Sequence, residues 1–82
     1  MNTVIMIACE NQPETVFLEA YGKVEGSAEY QTFGEYKGQW MVSVSMPYDT
    51  ETDSDCRFIG YFTDKQQALV ELELAYVKEM TA

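Results

Sequence analysis

Acidic side chains at alternate positions near the middle of the chain are the residues best placed to do chemistry. They are Asp49, Glu51, Asp53 and Asp55. Calcium-binding loops space their carboxylates in this way, because a hard cation takes many oxygen ligands. An EF-hand loop beginning at the first of these acids would need glycine and glutamate where the chain has Ser54 and Gly60. The run is therefore not an EF-hand. A weak cation site, a solvated acidic loop and a contact surface for a basic partner all stay open.

The rest of the sequence carries no catalytic pattern. The chain has no histidine to act as a general base. No serine or cysteine stands in a nucleophile motif, and there is no glycine-rich phosphate-binding loop. Paired carboxylates can hydrolyse glycosides, but a chain of 82 residues leaves little room for a deep substrate cleft. We therefore expect a protein that is not an enzyme and that uses no cofactor.

The two cysteines do not predict a metal site. A structural zinc site needs four ligands, which two cysteines without histidine cannot supply. Cys9 and Cys56 are expected to be reduced thiols, each on or near a strand. A disulfide that joins the first strand to the start of the last is the alternative, although a cytosolic setting disfavours it.

Net charge limits the partners that this chain can have. The sequence has 14 acidic residues against five basic ones, for a formal net charge of -9. The acids are spread through segments with strand and helix patterns instead of forming a separate tail. A folded domain with this charge repels nucleic acid and anionic membrane and attracts basic surfaces. We therefore expect no direct contact with nucleic acid or membrane.

Length and hydropathy predict a single domain over residues 1–82. Hydrophobic residues make up 46% of the chain, which is enough to build a core and argues against disorder. The longest apolar run, Val4–Cys9, is far too short to span a membrane. The N-terminus has no basic stretch and no cleavage site typical of a signal peptide, so a cytoplasmic location is expected.

Strand patterns fill the first three quarters of the chain, and turn signals separate them. Residues 3–9 predict a buried strand and residues 10–14 a turn. Residues 15–23 fit a strand or a short helix, of which we favour the strand. Further segments are predicted as a loop at 24–28, a hairpin with strands 30–36 and 39–46, an acidic loop at 48–55 and a last strand at 56–62.

A C-terminal helix over residues 63–82 is the clearest element. Thr63 and Gln66 have the spacing of a capping box, and good helix formers follow. One apolar stripe is expected to pack on the sheet: Ala68, Leu69, Leu72, Ala75, Tyr76 and Met80. A second stripe lies opposite: Val70, Leu74 and Val77. Either another part of the domain covers this second stripe, or it is exposed and makes a dimer or partner contact. The predicted class is α+β, a small antiparallel sheet of four to five strands packed on one helix.

Residues 36–79 resemble the DNA-binding domain of plant ethylene-response factors and the arm-binding domains of phage integrases. The matching positions are Gly38, Trp40, Gly60, Phe62 and Ala68. The resemblance implies a three-stranded sheet packed on one helix. It does not imply DNA reading, because those domains use basic strand residues and the segment between Trp40 and Met46 has none.

Charge and size together suggest a protein-binding function. Small acidic domains of this kind resemble phage-encoded counter-defence proteins, including anti-CRISPR inhibitors that mimic nucleic acid. That resemblance implies an inhibitor in the host cytoplasm that occupies a basic, nucleic-acid-binding surface of a target protein. The four acids at 49–55 would supply the charge, with Tyr48 or Trp40 as apolar anchors. The alternative is a small assembly protein that forms a homodimer through Val70, Leu74 and Val77.

Overall fold

The computed structural model describes residues 4–81, with Asp49 described through its backbone alone. Residue 3 of the predicted first strand and residue 82 of the predicted helix therefore lie outside the described part. Five strands precede one helix. Their bounds are β1 Val4–Cys9, β2 Thr15–Ala20, β3 Lys23–Tyr30, β4 Trp40–Asp49, β5 Ser54–Phe62 and α1 Lys65–Thr81.

The strands form one antiparallel sheet in the order of the sequence, β1-β2-β3-β4-β5. The helix α1 folds back across one face of this sheet and packs on β2 to β5. The predicted α+β class, with an antiparallel sheet on one C-terminal helix, is confirmed. The other face of the sheet has no covering element in the described part of the chain. No helix there has the length and apolar character needed to span a membrane.

The core lies between the sheet and α1. Alternate residues of β2 and β4 are buried, which fits strands with one face against a helix. The buried apolar residues are Val16, Leu18, Ala20, Ala28, Trp40, Val42, Val44, Ala68, Leu72, Ala75 and Tyr76. Residues 15–20 thus form a strand, as favoured. Residues 21 and 22 both have positive φ, as a two-residue hairpin turn requires.

The prediction of a loop at residues 24–28 is wrong, because these residues belong to β3. Gly26 and Ser27 suggested a loop from their types. In the structure Gly26 is buried beneath α1, and a Cβ built there would lie 2.7 Å from Leu72 Cδ1. The glycine therefore marks a close approach of helix to strand.

The prediction of a strand at residues 30–36 is also wrong. Residues 31–39 form the β3–β4 connection, which is closed by a hydrogen bond from Gln31 N to Gln39 O of 2.8 Å. Gly34 and Gly38 have φ near +90° in this loop, a conformation that ends a strand. The hairpin partner of β4 is instead the earlier segment β3, with Tyr30 opposite Trp40.

Strand β1 is less buried than predicted. The apolar sequence of Val4–Cys9 predicted a buried strand, and a strand does form there. It lies at the edge of the sheet, however, paired to β2 alone, and Ile5, Met6 and Ile7 are exposed. The helix does not reach over this edge.

The helix begins two residues after the predicted start. Ala68 N donates the first intrahelical hydrogen bond to Asp64 O, so Asp64 is the N-cap where Thr63 was predicted. Most of the predicted core stripe is buried, but Met80 is exposed. The second stripe, Val70, Leu74 and Val77, lies on the outer face and is half exposed. No other part of the domain covers it among the residues that the structure describes.

Candidate functional site

The acidic run lies on a two-stranded ribbon, the part of the β4–β5 hairpin that is not paired with β3. The last residue pair between β3 and β4 is Gly26 opposite Val44. Beyond it, β4 pairs with β5 alone, through Ser45 opposite Cys56 and Asp49 opposite Ser54. We call residues 45–56 the acidic ribbon. The predicted loop at 48–55 is therefore a hairpin, in which only residues 50–53 form the turn.

Side-chain hydrogen bonds hold the tip of the acidic ribbon. The Tyr48 hydroxyl donates to the Asp53 carboxylate across the turn. Asp53 has a φ of 53°, in the left-handed region that aspartate tolerates better than most residues. The Ser54 hydroxyl donates to Cys56 O at 3.0 Å and accepts from Cys56 N at 3.2 Å. The tip is therefore a shaped surface rather than an unstructured acidic loop.

The acids of the ribbon are displayed to solvent. Glu51, Asp53 and Asp55 are all exposed, and the side chain of Asp49 lies outside the described part. Among the side chains that are described, no group of three or more acids and cysteines converges closely enough to hold a metal ion. The alternate spacing of the carboxylates thus produces separate surface charges in this fold.

The two predicted apolar anchors lie in different environments. Tyr48 is 60% exposed on the ribbon, so its ring is available to a partner. Trp40 is only 5% exposed, with its ring centroid 5.3 Å from that of Tyr30 and 5.3 Å from Lys65 Nζ. Its prediction as a surface anchor does not fit this fold, because Trp40 begins β4 with its side chain under the helix.

The cysteines occupy opposite edges of the sheet and are both free thiols. Cys9 ends β1 and Cys56 lies in β5, so three strands separate them. That separation is roughly 19 Å, far beyond the reach of a disulfide. The alternative of an intramolecular disulfide is therefore excluded. Partial desolvation, the charge of Asp55 and a hydrogen bond to its carboxylate raise the pKa of the Cys56 thiol. This thiol stays protonated at neutral pH.

An aromatic cluster next to the ribbon was not predicted. Tyr61 and Phe58 lie on the uncovered face of β5, with ring centroids 5.2 Å apart. Tyr36 from the β3–β4 loop stacks on Tyr61 at 3.7 Å with parallel rings. Phe58 and Tyr61 are three residues apart, which would put them on opposite faces of a regular strand. A bulge at Ile59 brings them to the same face, next to Gly60, a residue type that often marks a bulge within a strand.

Two of the basic residues form ion pairs on the helix side of the sheet. Arg57 of β5 forms an ion pair with Glu79 of α1 at 2.5 Å. Lys65 pairs with Glu14 at 2.7 Å. Both pairs are partly exposed and so contribute little to stability. Their effect is to place two of the five cations against acids of the domain itself, away from the ribbon tip.

The surface features that the structure describes here are an acidic ribbon tip, an exposed Tyr48 ring and an aromatic cluster along β5. Comparisons of the chain with protein-family models, with curated proteins and with solved structures find no match.

Proposed function

We propose that this protein is a non-enzymatic binding module whose acidic ribbon occupies a basic, nucleic-acid-binding surface of a target protein. The observation that carries the proposal is the ribbon itself. It extends past the three-stranded part of the sheet and displays Glu51, Asp53 and Asp55 around an ordered turn. An inhibitor of the counter-defence kind, which competes with nucleic acid for its target, is the finer form of this proposal.

Electrostatics favour such a contact. The domain has a net charge of -9, and the ribbon acids contribute to its negative field, which attracts cationic surfaces. Complementary charge speeds association and selects among partners, and its effect weakens as salt screens it. A cleft that binds phosphates is a cationic surface of this kind.

The aromatic side chains supply the apolar part of the contact. Tyrosine and other aromatic residues are frequent anchors in protein interfaces, because each buries a large rigid area. Tyr48 sits among the ribbon acids, and Phe58 lies further along β5 on the uncovered face. Charge at the tip and aromatic area behind it give one contact surface along the β4–β5 hairpin.

Isosteric neutralisation of the ribbon tests the proposal. In the ribbon variant Glu51→Gln, Asp53→Asn and Asp55→Asn are combined, and the amide at 53 keeps an acceptor for the Tyr48 hydroxyl. In the control variant Glu10→Gln, Glu35→Gln and Glu73→Gln neutralise three exposed acids elsewhere. Each variant removes the same number of charges, so any difference reports position rather than net charge.

The measurement is capture of lysate proteins on the immobilised protein, at low and at high salt, followed by elution with duplex DNA. We expect the wild type to capture nucleic-acid-binding proteins at low salt and duplex DNA to release them. The ribbon variant should no longer capture these proteins, whereas the control variant should still do so. Capture that is equal for the two variants, or that DNA does not release, contradicts the proposal.

A second candidate function rests on the outer face of α1. Val70, Leu74 and Val77 are half exposed there and form a continuous stripe along the helix. Apolar side chains arranged in this way are typical of a helix–helix contact. The candidate is a small assembly protein that forms a homodimer through this stripe, with its charge serving solubility.

The substitution Leu74→Glu tests this dimer. Leu74 is central in the stripe, so a carboxylate there would be buried against its copy in the dimer and would shift the equilibrium to monomer. Light scattering over a range of concentrations measures the effect. A wild-type protein that stays monomeric at high concentration, or a dimer that the substitution leaves intact, rules this function out.

A further inference from the structure

The free edge of β1 lacks the features that usually protect an edge strand. Sheets blunt their edges with charged residues, proline, bulges or a covering element. The segment Val4–Cys9 contains no charged residue and no proline. Its register with β2 runs from Val4 opposite Ala20 to Cys9 opposite Thr15 without a bulge, and α1 does not reach over it. Among the residues that the structure describes, nothing covers the outer backbone groups of residues 5–9, which form a straight template for another strand.

Both faces of β1 are apolar, which is the pattern of an interior strand. Met6 and Ala8 lie on the helix side of the sheet, since they oppose Leu18 and Val16. Ile5 and Ile7 lie on the uncovered side and are exposed together with Met6. An interior pattern at an edge position indicates that this strand acquires a neighbour.

The distribution of charge indicates which partner can pair with β1. The outer stripe of α1 is flanked by Glu71 and Glu73, and the uncovered sheet face carries Glu19 and Glu29. Two copies meeting at either surface would bring like charges together. The six residues of β1 carry no charge at all, so this edge is where a chain with a net charge of -9 can approach its own copy most closely.

We propose that β1 pairs antiparallel with β1 of a second copy, joining two five-stranded sheets into one sheet of ten strands. The proposal is independent of the acidic ribbon, which belongs to the β4–β5 hairpin at the opposite edge of the sheet. A five-residue pairing is at the small end of specific interfaces, so the dimer is reversible and depends on concentration.

Backbone geometry restricts the register of this dimer. In an antiparallel pair, two opposed residues either both turn their N–H and C=O groups toward each other or both turn them away. These orientations alternate along β1, so an even-numbered residue must oppose an even-numbered one. The registers that pair five residues of β1 therefore place the two-fold axis at Met6 or at Ile7, with both helices on the same face.

This arrangement keeps the two copies of Glu10 apart. Glu10 follows directly after β1. With the axis at either residue, the two copies of Glu10 lie at opposite ends of the paired strands, roughly 20 Å or more from each other. That distance exceeds the screening length of about 8 Å at physiological salt. The repulsion between the two Glu10 carboxylates is therefore weak.

Sedimentation velocity over a range of concentrations tests the dimer with matched variants. The edge variant combines Ile5→Lys with Ile7→Lys, which sets lysines directly opposite one another in either register. The control combines Val24→Lys with Phe58→Lys on the same sheet face. Ile5 and Val24 are 53% and 52% exposed and both oppose Glu19, so the new lysines meet the same carboxylate. We expect the wild type and the control to sediment as dimers. The edge variant should sediment as a monomer, and its circular dichroism spectrum should show that it is folded.

Disulfide trapping tests the pairing without relying on a disruptive substitution. In a chain with Cys9→Ser and Cys56→Ser, Met6→Cys or Ile7→Cys places a thiol opposite its own copy at the two-fold axis. Mild oxidation is expected to give a covalent dimer with one of these two, and none with Leu74→Cys on the outer face of α1. A wild type that is monomeric at every concentration overturns the proposal. So does a dimer that neither β1 cysteine can trap.

Discussion

Replacing Leu72 with alanine is expected to lower the free energy of unfolding by about 2–5 kcal/mol. Leu72 is fully buried in the middle of α1 and packs on Gly26 of β3. The substitution removes apolar contacts and leaves a cavity between helix and sheet, which the rigid strands can only partly close. A domain of this length has a small stability margin, so the loss removes much of it.

Urea unfolding followed by circular dichroism measures this effect, with Leu74→Ala as the control. Leu74 is the same residue type on the same helix, two positions later, but it is 56% exposed. We expect the control to change stability by less than about 0.5 kcal/mol, because it creates no cavity. Equal losses for the two variants would mean that α1 does not pack on the sheet through Leu72.

Replacing Gly26 with valine is expected to destabilise the fold by about 1–3 kcal/mol or more, although β-branched residues usually favour strands. A Cβ at this position would lie 2.7 Å from Leu72 Cδ1, 3.0 Å from Ser43 O and 3.3 Å from Val44 Cγ1. The Ser43 oxygen is backbone of the neighbouring strand, so it cannot move aside as a side-chain end can. Helix and sheet would have to separate.

The control for this prediction is Gly60→Val in β5. A Cβ there meets Phe62 at 3.5 Å, an ordinary van der Waals contact. We therefore expect this variant to unfold at a urea concentration close to that of the wild type. If Gly60→Val lowers the free energy of unfolding as much as Gly26→Val does, the effect comes from replacing any strand glycine. The close approach of α1 to β3 would then not be its cause.

A double-mutant cycle separates the contact with Leu72 from the contact with the backbone. Gly26→Ala adds a single methyl group, whose closest neighbour is the Leu72 side chain. Shortening Leu72 to alanine removes that neighbour. The combined variant should be less destabilised than the sum of the two single ones, by about 0.5–3 kcal/mol. Strict additivity would show that the two residues do not touch in solution.

Local sequence signals located most elements but not their pairing. The helix was predictable because its apolar residues repeat with helical spacing over four turns and follow polar capping residues. The strand β4 was predictable because Val42 and Val44 alternate with serines after Trp40. The hairpin partner of β4 was not. Residues 30–36 alternate as a strand does, whereas β3 contains a glycine whose reason, the approach of Leu72, lies 46 positions away in the chain.

The candidate site was predictable in its charged part and not in its aromatic part. The acids at 49–55 and Tyr48 follow from residue type, and residues in a hairpin between two strands are exposed in almost any fold. Trp40 was misplaced as an anchor because residue type alone does not tell which face of β4 the helix will cover. Phe58 and Tyr61 share a face only because of the bulge at Ile59.

By itself, the sequence determined the composition of the surface and the periods of the elements: an acidic domain with strands followed by one amphipathic helix. Those properties are local, since they depend on residue type and on spacings of two or three to four residues. Only the tertiary structure decided which strand lies at an edge, which sheet face stays open and where a bulge changes the register. These depend on pairings between distant segments. The six apolar residues of β1 have the same local preference at an edge as in the interior.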